Sequence, residues 1–220
     1  VKVLAIDTST PRESVALVDG GTIRGEVRLL AEDAHSRRLL PAVAALLEGL
    51  SLRPADVEGF AAAVGPGSFT GLRVGVSTIQ GLALAAGRPC YGVCTLDALA
   101  ARIRGAAERL VAVMDAYRDE VFAAVYDREG NRLGDPLRRR PERLVHELPE
   151  GAAFIGDGAS RYRALILEAR PRAVFPERSL FLAGTVGLLA EPRLREGSGV
   201  PPAALRPLYL READIRPPRA

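Results

Sequence analysis

Tryptophan is absent from the 220 residues, lysine and methionine occur once each (Lys2, Met114), and histidine and cysteine twice each (His35, His146; Cys90, Cys94). Two cysteines are too few for a disulfide framework or a four-ligand zinc site; they fit a reducing compartment and read as buried thiols. With Lys2 as the sole lysine, Schiff-base chemistry and lysine-dependent phosphate binding are excluded beyond the extreme N-terminus. No window approaches the ~18 apolar residues that span a bilayer. Val1 to Asp7 reads as a strand ending in a carboxylate, not as the core of a signal peptide, so a cytoplasmic protein without membrane contact is expected. An excess of one charge is lacking as well: 30 basic against 27 acidic residues leave a net +3, which does not force nucleic-acid binding. That excess is concentrated between Arg128 and Arg143, whose run Arg138-Arg139-Arg140 is either a solvated strand edge or a phosphate-tracking patch.

What is present is a globular chain, 48% hydrophobic, with 22 glycines and 16 prolines in no repeat. At this length about 70% of the extended-chain surface is buried on folding, so no metal or disulfide is needed to hold the fold together. Val1 to Ile6 reads as a buried strand and Ser14 to Val18 as a second. Asp19-Gly20-Gly21 is a hairpin turn, and Thr22 to Leu29 a third strand. From His35 the period changes: Leu39, Val43, Leu46, Leu47 and Leu50 form the stripe of an amphipathic helix, with Pro41 in its first turn or kinking it. Gly59 to Val64 is a strand, and a helix to about Ala86 carries Leu72, Val76, Ile79 and Ala83 on one face. A strand at Cys90 to Val93 and a helix from Thr95 to about Arg104 complete a β-β-β-α-β-α-β-α unit.

The same order begins again with strands at Leu110–Met114, Val121–Tyr126 and about Arg132–Leu137. A helix from about Glu142 follows, then a strand at Ala153–Ile155, a helix at Ala159–Ala169, a strand near Val174 and a helix near Leu180–Ala190. The division is therefore 1–104, 105–202 and a tail, 203–220, expected to pack back on the first half. This duplicated α/β unit resembles the fold shared by actin, Hsp70 and sugar kinases, of the ribonuclease H-like type. There two halves face each other across a nucleotide cleft, and a carboxylate after the first strand faces phosphate and metal.

Each candidate site has a functional and a structural reading. Asp7, Thr8 and Ser9 either hold a magnesium nucleotide or terminate the first strand. Gly65-Pro66-Gly67-Ser68-Phe69-Thr70-Gly71 is either an anion cradle between strand and helix or a Ser68 N-cap with glycines that let the chain turn; it is not a Walker A loop. Gly71 and Gly75 share a helix face, which lets a neighbouring helix come close. Asp115 falls where the relatives place a second phosphate loop, and Asp157, in Gly156-Asp157-Gly158, where they contact adenosine. Arg118 and Glu120 read as a turn ion pair. His35 and Ser36 are adjacent and make no catalytic triad; they read as helix entry and cap.

Five segments together resemble the TsaB family, the subunit-B proteins of the bacterial machinery that makes threonylcarbamoyladenosine in tRNA. They are Ala5-Ile6-Asp7-Thr8-Ser9 with Ser14-Val15-Ala16-Leu17; His35-Ser36 before Leu39-Leu40-Pro41; the loop Gly65 to Gly71 with Leu72-Arg73; Met114-Asp115-Ala116 with Glu120-Val121; and Pro207-Leu208-Tyr209-Leu210-Arg211. The resemblance covers most of the chain. It implies a non-catalytic paralogue that scaffolds and activates the catalytic subunit TsaD as a heterodimer, with the ATPase TsaE completing the assembly and tRNA reached through it. Alone, such a subunit is expected to form a homodimer. Thr95 and Leu99 stand where the paralogue carries its His-x-x-x-His metal ligands, which implies no metal and no catalytic residue here. No cofactor is required; ATP or ADP at the partner junction is the implied exception. The resemblance also assigns the partner interface to the two helix stripes, Leu39 to Leu50 and Leu72 to Ala83, which the residues alone allow equally as core. The alternative is an ATP-dependent small-molecule kinase or ATPase using Asp7 and the Gly65 to Gly71 loop; a metalloprotease lacks its ligand spacing.

Overall fold

A computed structural model describes residues 1–30 and 36–210. Its first sheet runs β3-β2-β1-β4-β5, from strands β1 (Val3–Asp7), β2 (Arg12–Asp19), β3 (Thr22–Leu30), β4 (Gly59–Gly65) and β5 (Cys90–Cys94). β1 is antiparallel to β2 and parallel to β4. Gly20 and Gly21 both adopt positive φ (59° and 74°) between paired Asp19 and Thr22, the two-residue turn that matches strand twist. The second sheet, β8-β7-β6-β9, is built from β6 (Arg109–Asp115), β7 (Val121–Asp127), β8 (Leu137–Arg139) and β9 (Ala153–Ile155) in the same relative arrangement. Its fifth strand is reduced to an isolated parallel bridge between Ala153 and Val174.

Alternation along β1 divides the molecule into layers. Leu4 and Ile6 face one way, into a core with Val15, Leu17 and Phe60, covered by α1 (Ser36–Gly49) and α2 (Phe69–Ala86). Val3 and Ala5 face the other way, into a central core that includes α3 (Thr95–Ala101), α7 (Ala183–Arg195) and the Leu110, Ala112 and Met114 face of β6. Val111 and Val113 look outward onto α4 (Pro141–Glu147) and α6 (Arg163–Ala169), and α5 (Asp157–Arg161) packs on β6.

Three expectations are corrected. The strand expected at about 132–137 pairs at Arg132, which bridges to Tyr126, and then breaks at Gly134 (φ 133°) and Pro136 before the ladder resumes at Leu137–Arg139. The helix expected at Ala159–Ala169 is two short helices broken at Tyr162 (φ −103°, ψ 20°). Most consequentially, α7, read as the last helix of the second half, packs on every strand of the first sheet. Pro41 lies in the second turn of α1, which begins at Ser36; His35 is outside the described residues.

Glu191 of α7 fixes this crossover. It is 1% exposed, accepts hydrogen bonds from Gly20 N (2.9 Å) and Gly21 N (2.6 Å), and pairs with Arg195 at 2.9 Å. Burial pushes its pKa up, but the turn amides and Arg195 outweigh that and hold it below the ordinary glutamate value. Glu191→Ala is expected to lower stability by about 2–3 kcal/mol at pH 7, with Glu191→Gln losing about half as much, by urea unfolding. Because the folded-state pKa is depressed, this contribution is present at neutral pH and lost as pH falls through that value. The wild type and Glu191→Gln curves should therefore converge in acid.

Candidate functional site

Asp7 ends β1 fully buried. Its Oδ1 accepts the Ser9 amide at 3.0 Å, while Oδ2 has no hydrogen-bond partner. Burial is the dominant cause that pushes its pKa up to about 6, against the lowering effect of the Ser9 hydrogen bonds. The next two residues are consumed by the glycine loop. Thr8 Oγ1 donates to Gly71 O at 2.7 Å, and Ser68 N donates to Ser9 O at 2.7 Å. Ser68 also caps α2, its Oγ accepting Gly71 N at 3.2 Å. A Cβ on Gly67, Gly71 or Gly75 would lie closer than 3.0 Å to Ser9 O, Thr8 O or Thr8 Oγ1 respectively. The shared face of Gly71 and Gly75 thus receives the Thr8 turn, not the helix expected from their spacing. Thr8 Oγ1 and the Ser68 and Gly71 amides are thus bound within the chain, while Ser9 Oγ is buried without a partner.

The second half repeats the device. Asp157 Oδ1 accepts Asp115 N (3.1 Å) and Gly158 N (2.8 Å), and burial raises its pKa. Gly158 packs within 3.0 Å of the Met114 and Asp115 backbone, measured from an added Cβ. Asp115 in turn pairs with Arg161 at 2.5 Å, and Glu120 with Arg138 at 3.5 Å. So Asp7, Thr8, Ser9, Gly65, Gly67 and Ser68 come together in one cluster, and Asp115 and Asp157 in another. Between the halves, Thr10, Arg12, Leu99, Met114, Asp157, Leu180 and Leu182 line a cavity of about 10 Å³, room for about one water molecule and no nucleotide.

Thr95 and Leu99 lie inside the central layer, 0% and 3% exposed, with Thr95 Oγ1 unpartnered. His146 is exposed on α4, far in sequence from either. Among the described residues no three His, Cys, Asp or Glu side chains cluster to hold a metal, and no helix is long and apolar enough to cross a membrane. The arginine run is partly neutralised: besides Arg138, Arg139 lies 3.8 Å from Glu147.

The interface assignment requires correction. Leu39, Val43, Leu46, Leu47, Leu72, Val76, Ile79 and Ala83 are buried in the chain's own core, with half-buried Leu50 packed against them. The sheet face needs all of them. Outward, α1 presents Leu40 (54% exposed), Pro41, Ala44 and Ala45, and α2 presents Phe69, Ser77, Gly81 and Leu84 (74% exposed). These small and isolated apolar residues make no stripe, which is why periodicity passes over them. The segment 202–209 is laid against α2 and the end of β4: Gln80 Nε2 donates to Pro202 O and Leu205 O, Leu208 N donates to Val64 O of β4 at 2.6 Å, and Arg73 Nε donates to Tyr209 Oη at 3.1 Å. The Arg73 guanidinium sits 4.0 Å over Phe69, whose ring centroid is 5.1 Å from that of Tyr209.

Asp7 gives a signed prediction. A carboxyl whose pKa rises from 3.8 to about 6 on folding favours the folded state most when protonated. Stability should therefore fall as pH rises through about 4 to 6 and stay reduced by about 3 kcal/mol above that. Asp7→Asn is expected to relieve most of this at pH 8 and to match the wild type near pH 4, by urea unfolding across pH. Gly71→Ala should cost about 1–3 kcal/mol in the same assay, through overpacking against Thr8.

Comparison with known proteins places this geometry in a family. A family model described as TsaD, tRNA N6-adenosine threonylcarbamoyltransferase, matches residues 23–161. The chain is 41% identical over 153 residues to the tRNA threonylcarbamoyladenosine biosynthesis protein TsaB of Escherichia coli, covering 67% of this chain and 65% of that protein. It is 36% identical over 173 residues to TsaB of Haemophilus influenzae, covering 72% and 73%. A Pseudomonas aeruginosa crystal structure, described as an uncharacterized protein with similarity to peptidase YeaZ, superposes with TM-score 0.82 at 34% identity, covering 96% of this chain and 99% of that one. A polyphosphate/ATP-glucomannokinase from Arthrobacter shares the fold alone, at TM-score 0.53 and 16% identity, covering 89% and 99%. On the two-sheet fold of actin, Hsp70 and the sugar kinases, with the turn after its first strand bound to its own glycine loop, the chain belongs to the TsaB family.

Proposed function

We propose that this chain is the non-catalytic subunit of the assembly that forms threonylcarbamoyladenosine next to the anticodon of tRNA, and that it scaffolds and activates a catalytic TsaD paralogue. The observation that carries the reading is the occupied turn after the first strand. Where the fold's enzymes keep this turn free for phosphate, Thr8 Oγ1 donates to Gly71 O and Ser9 O accepts from Ser68 N of the glycine loop. A subunit whose phosphate-facing turn is taken up by its own loop contributes through its surface. The outward faces of α1 and α2 supply one: Leu40 is exposed on α1 with Ala44 and Ala45, and Leu84 on α2 with Ser77 and Gly81, small residues that let a partner helix approach closely. TsaD is the proposed occupant, TsaE the further ATPase component, and a second copy takes the face when TsaD is absent. ATP or ADP belongs at the subunit junction in this reading, and tRNA is reached through the complex.

A second reading, an ATP-dependent small-molecule kinase, is favoured by one feature: the unpartnered Oδ2 of buried Asp7. It requires magnesium-dependent ATP turnover by the purified chain that Asp7→Ala abolishes; the scaffold reading expects none.

The decisive experiment mixes the chain with TsaD of the same source, measures mass by light scattering after size exclusion, and assays threonylcarbamoyl transfer to tRNA. A one-to-one complex on which transfer depends is expected; a persistent homodimer that leaves transfer unchanged overturns the proposal. Leu40→Glu/Leu84→Glu should weaken the complex at least about tenfold, with an unchanged unfolding midpoint because both side chains are exposed. Charges at Leu46 or Val76 would be buried and would report on folding instead.

A further inference from the structure

The second half holds a space that nothing above uses. After α6 the chain returns through Phe175 to Leu180 and stands off from β9, α5 and the start of α6. A cavity of about 470 Å³ opens there, lined by Ile155, Ala159, Ser160, Arg163 and Arg178 among others. That volume lies within the range of small-molecule sites, about 300–1,000 Å³. Asp157, the residue placed at an adenosine contact by sequence position, does not line it; its Oδ1 is held on Asp115 N and Gly158 N.

Two arginines line this space, Arg163 and Arg178, the latter with Nη1 donating to the Glu177 carbonyl at 3.0 Å. Arg163 and Arg178 line the cavity and are exposed, and neither forms an ion pair with a described carboxylate, although Glu177 also lines the wall. Arg163 is held in place: its guanidinium lies 4.5 Å over the Phe175 ring, and Phe175 stacks on Phe154 at 5.5 Å and 24°. A guanidinium positioned by an aromatic ring, with no carboxylate taking its N–H groups, is a prepared receptor for a carboxylate or phosphate. Ser160 and Ser179 add hydroxyls, and Ile155, Ala159 and Leu180 form an apolar wall.

We propose that this cavity binds a small organic anion, a carboxylate or phosphate monoester on an apolar body, with its head on Arg163 and Arg178 and its body against Ile155, Ala159 and Leu180. The site borders the small interlobe cavity, with which it shares Leu180, and no residue of α1 or α2 lines it, so it stands or falls independently of the scaffold role.

The test is an amide-shift titration of the full chain by heteronuclear NMR with phenyl phosphate, benzoate and uncharged phenol. The expected result is saturable shifts at Gly156, Ser160, Arg163 and Ser179 with at least one of the two anions and not with phenol. Whichever anion binds more tightly identifies the head group as phosphate ester or carboxylate. Arg163→Gln/Arg178→Gln should weaken binding about tenfold or more, and Arg163→Lys/Arg178→Lys should restore part of it. Both arginines are exposed, so neither variant threatens the fold. The proposal is overturned if neither anion shifts these amides, if phenol shifts them equally, or if the glutamine variant binds as well as the wild type.

Discussion

Everything distinctive about this molecule depends on how closely two backbones approach. The turn Asp7-Thr8-Ser9 lies so near the start of α2 that Gly67, Gly71 and Gly75 have no room for a Cβ. Hydrogen bonds from Thr8 Oγ1 to Gly71 O and from Ser68 N to Ser9 O then lock the two together. That approach fixes α2 on the sheet, commits one whole face of the helix to the core, and leaves Asp7 without solvent. A carboxylate in that position is a net cost at neutral pH, so the fold tolerates it only because the surrounding packing holds the turn in place.

Local signals carried much of the fold. The Asp19-Gly20-Gly21 hairpin, the α1 stripe and the Ser68 cap are each decided by residues within a turn of one another, and the structure realises all three. The features that sequence did not disclose are non-local. Gly71 and Gly75 visibly share a face, yet only the fold shows that Thr8, 63 residues earlier than Gly71, is what they receive. Periodicity identified which side of α1 and α2 is apolar but not what covers it, and the sheet took the whole stripe. The faces left outside are made of alanine, glycine, serine and single leucines, a composition without a period to read.

The duplication extends to the loops and then breaks down usefully. Gly67 and Gly71 against Ser9 and Thr8 have their counterpart in Gly158 against the Met114–Asp115 backbone, so each half closes its own strand end with glycine. The halves differ at the fifth strand. In the first it is β5, carrying buried Cys90; in the second only Val174 pairs, and the residues after it are free to stand away from β9. The 470 Å³ cavity occupies the place where a complete strand would have been followed by close packing.

The crossover of α7 sets the order in which the protein can be assembled during synthesis. The first sheet is complete in hydrogen bonding once β5 has emerged, but Val3, Ala5 and Ala61 share a core with Val186 and Ala190 of α7. Until α7 leaves the ribosome, that half is a five-stranded sheet with one apolar face partly open, and the whole second sheet is translated in the meantime. Domains ordinarily mature one after the other as the chain emerges; here the first-made half is the last to be sealed. Neither half is therefore a separable unit, and a nascent chain stalled before Ala183 would offer its inner sheet face to chaperones or to other chains.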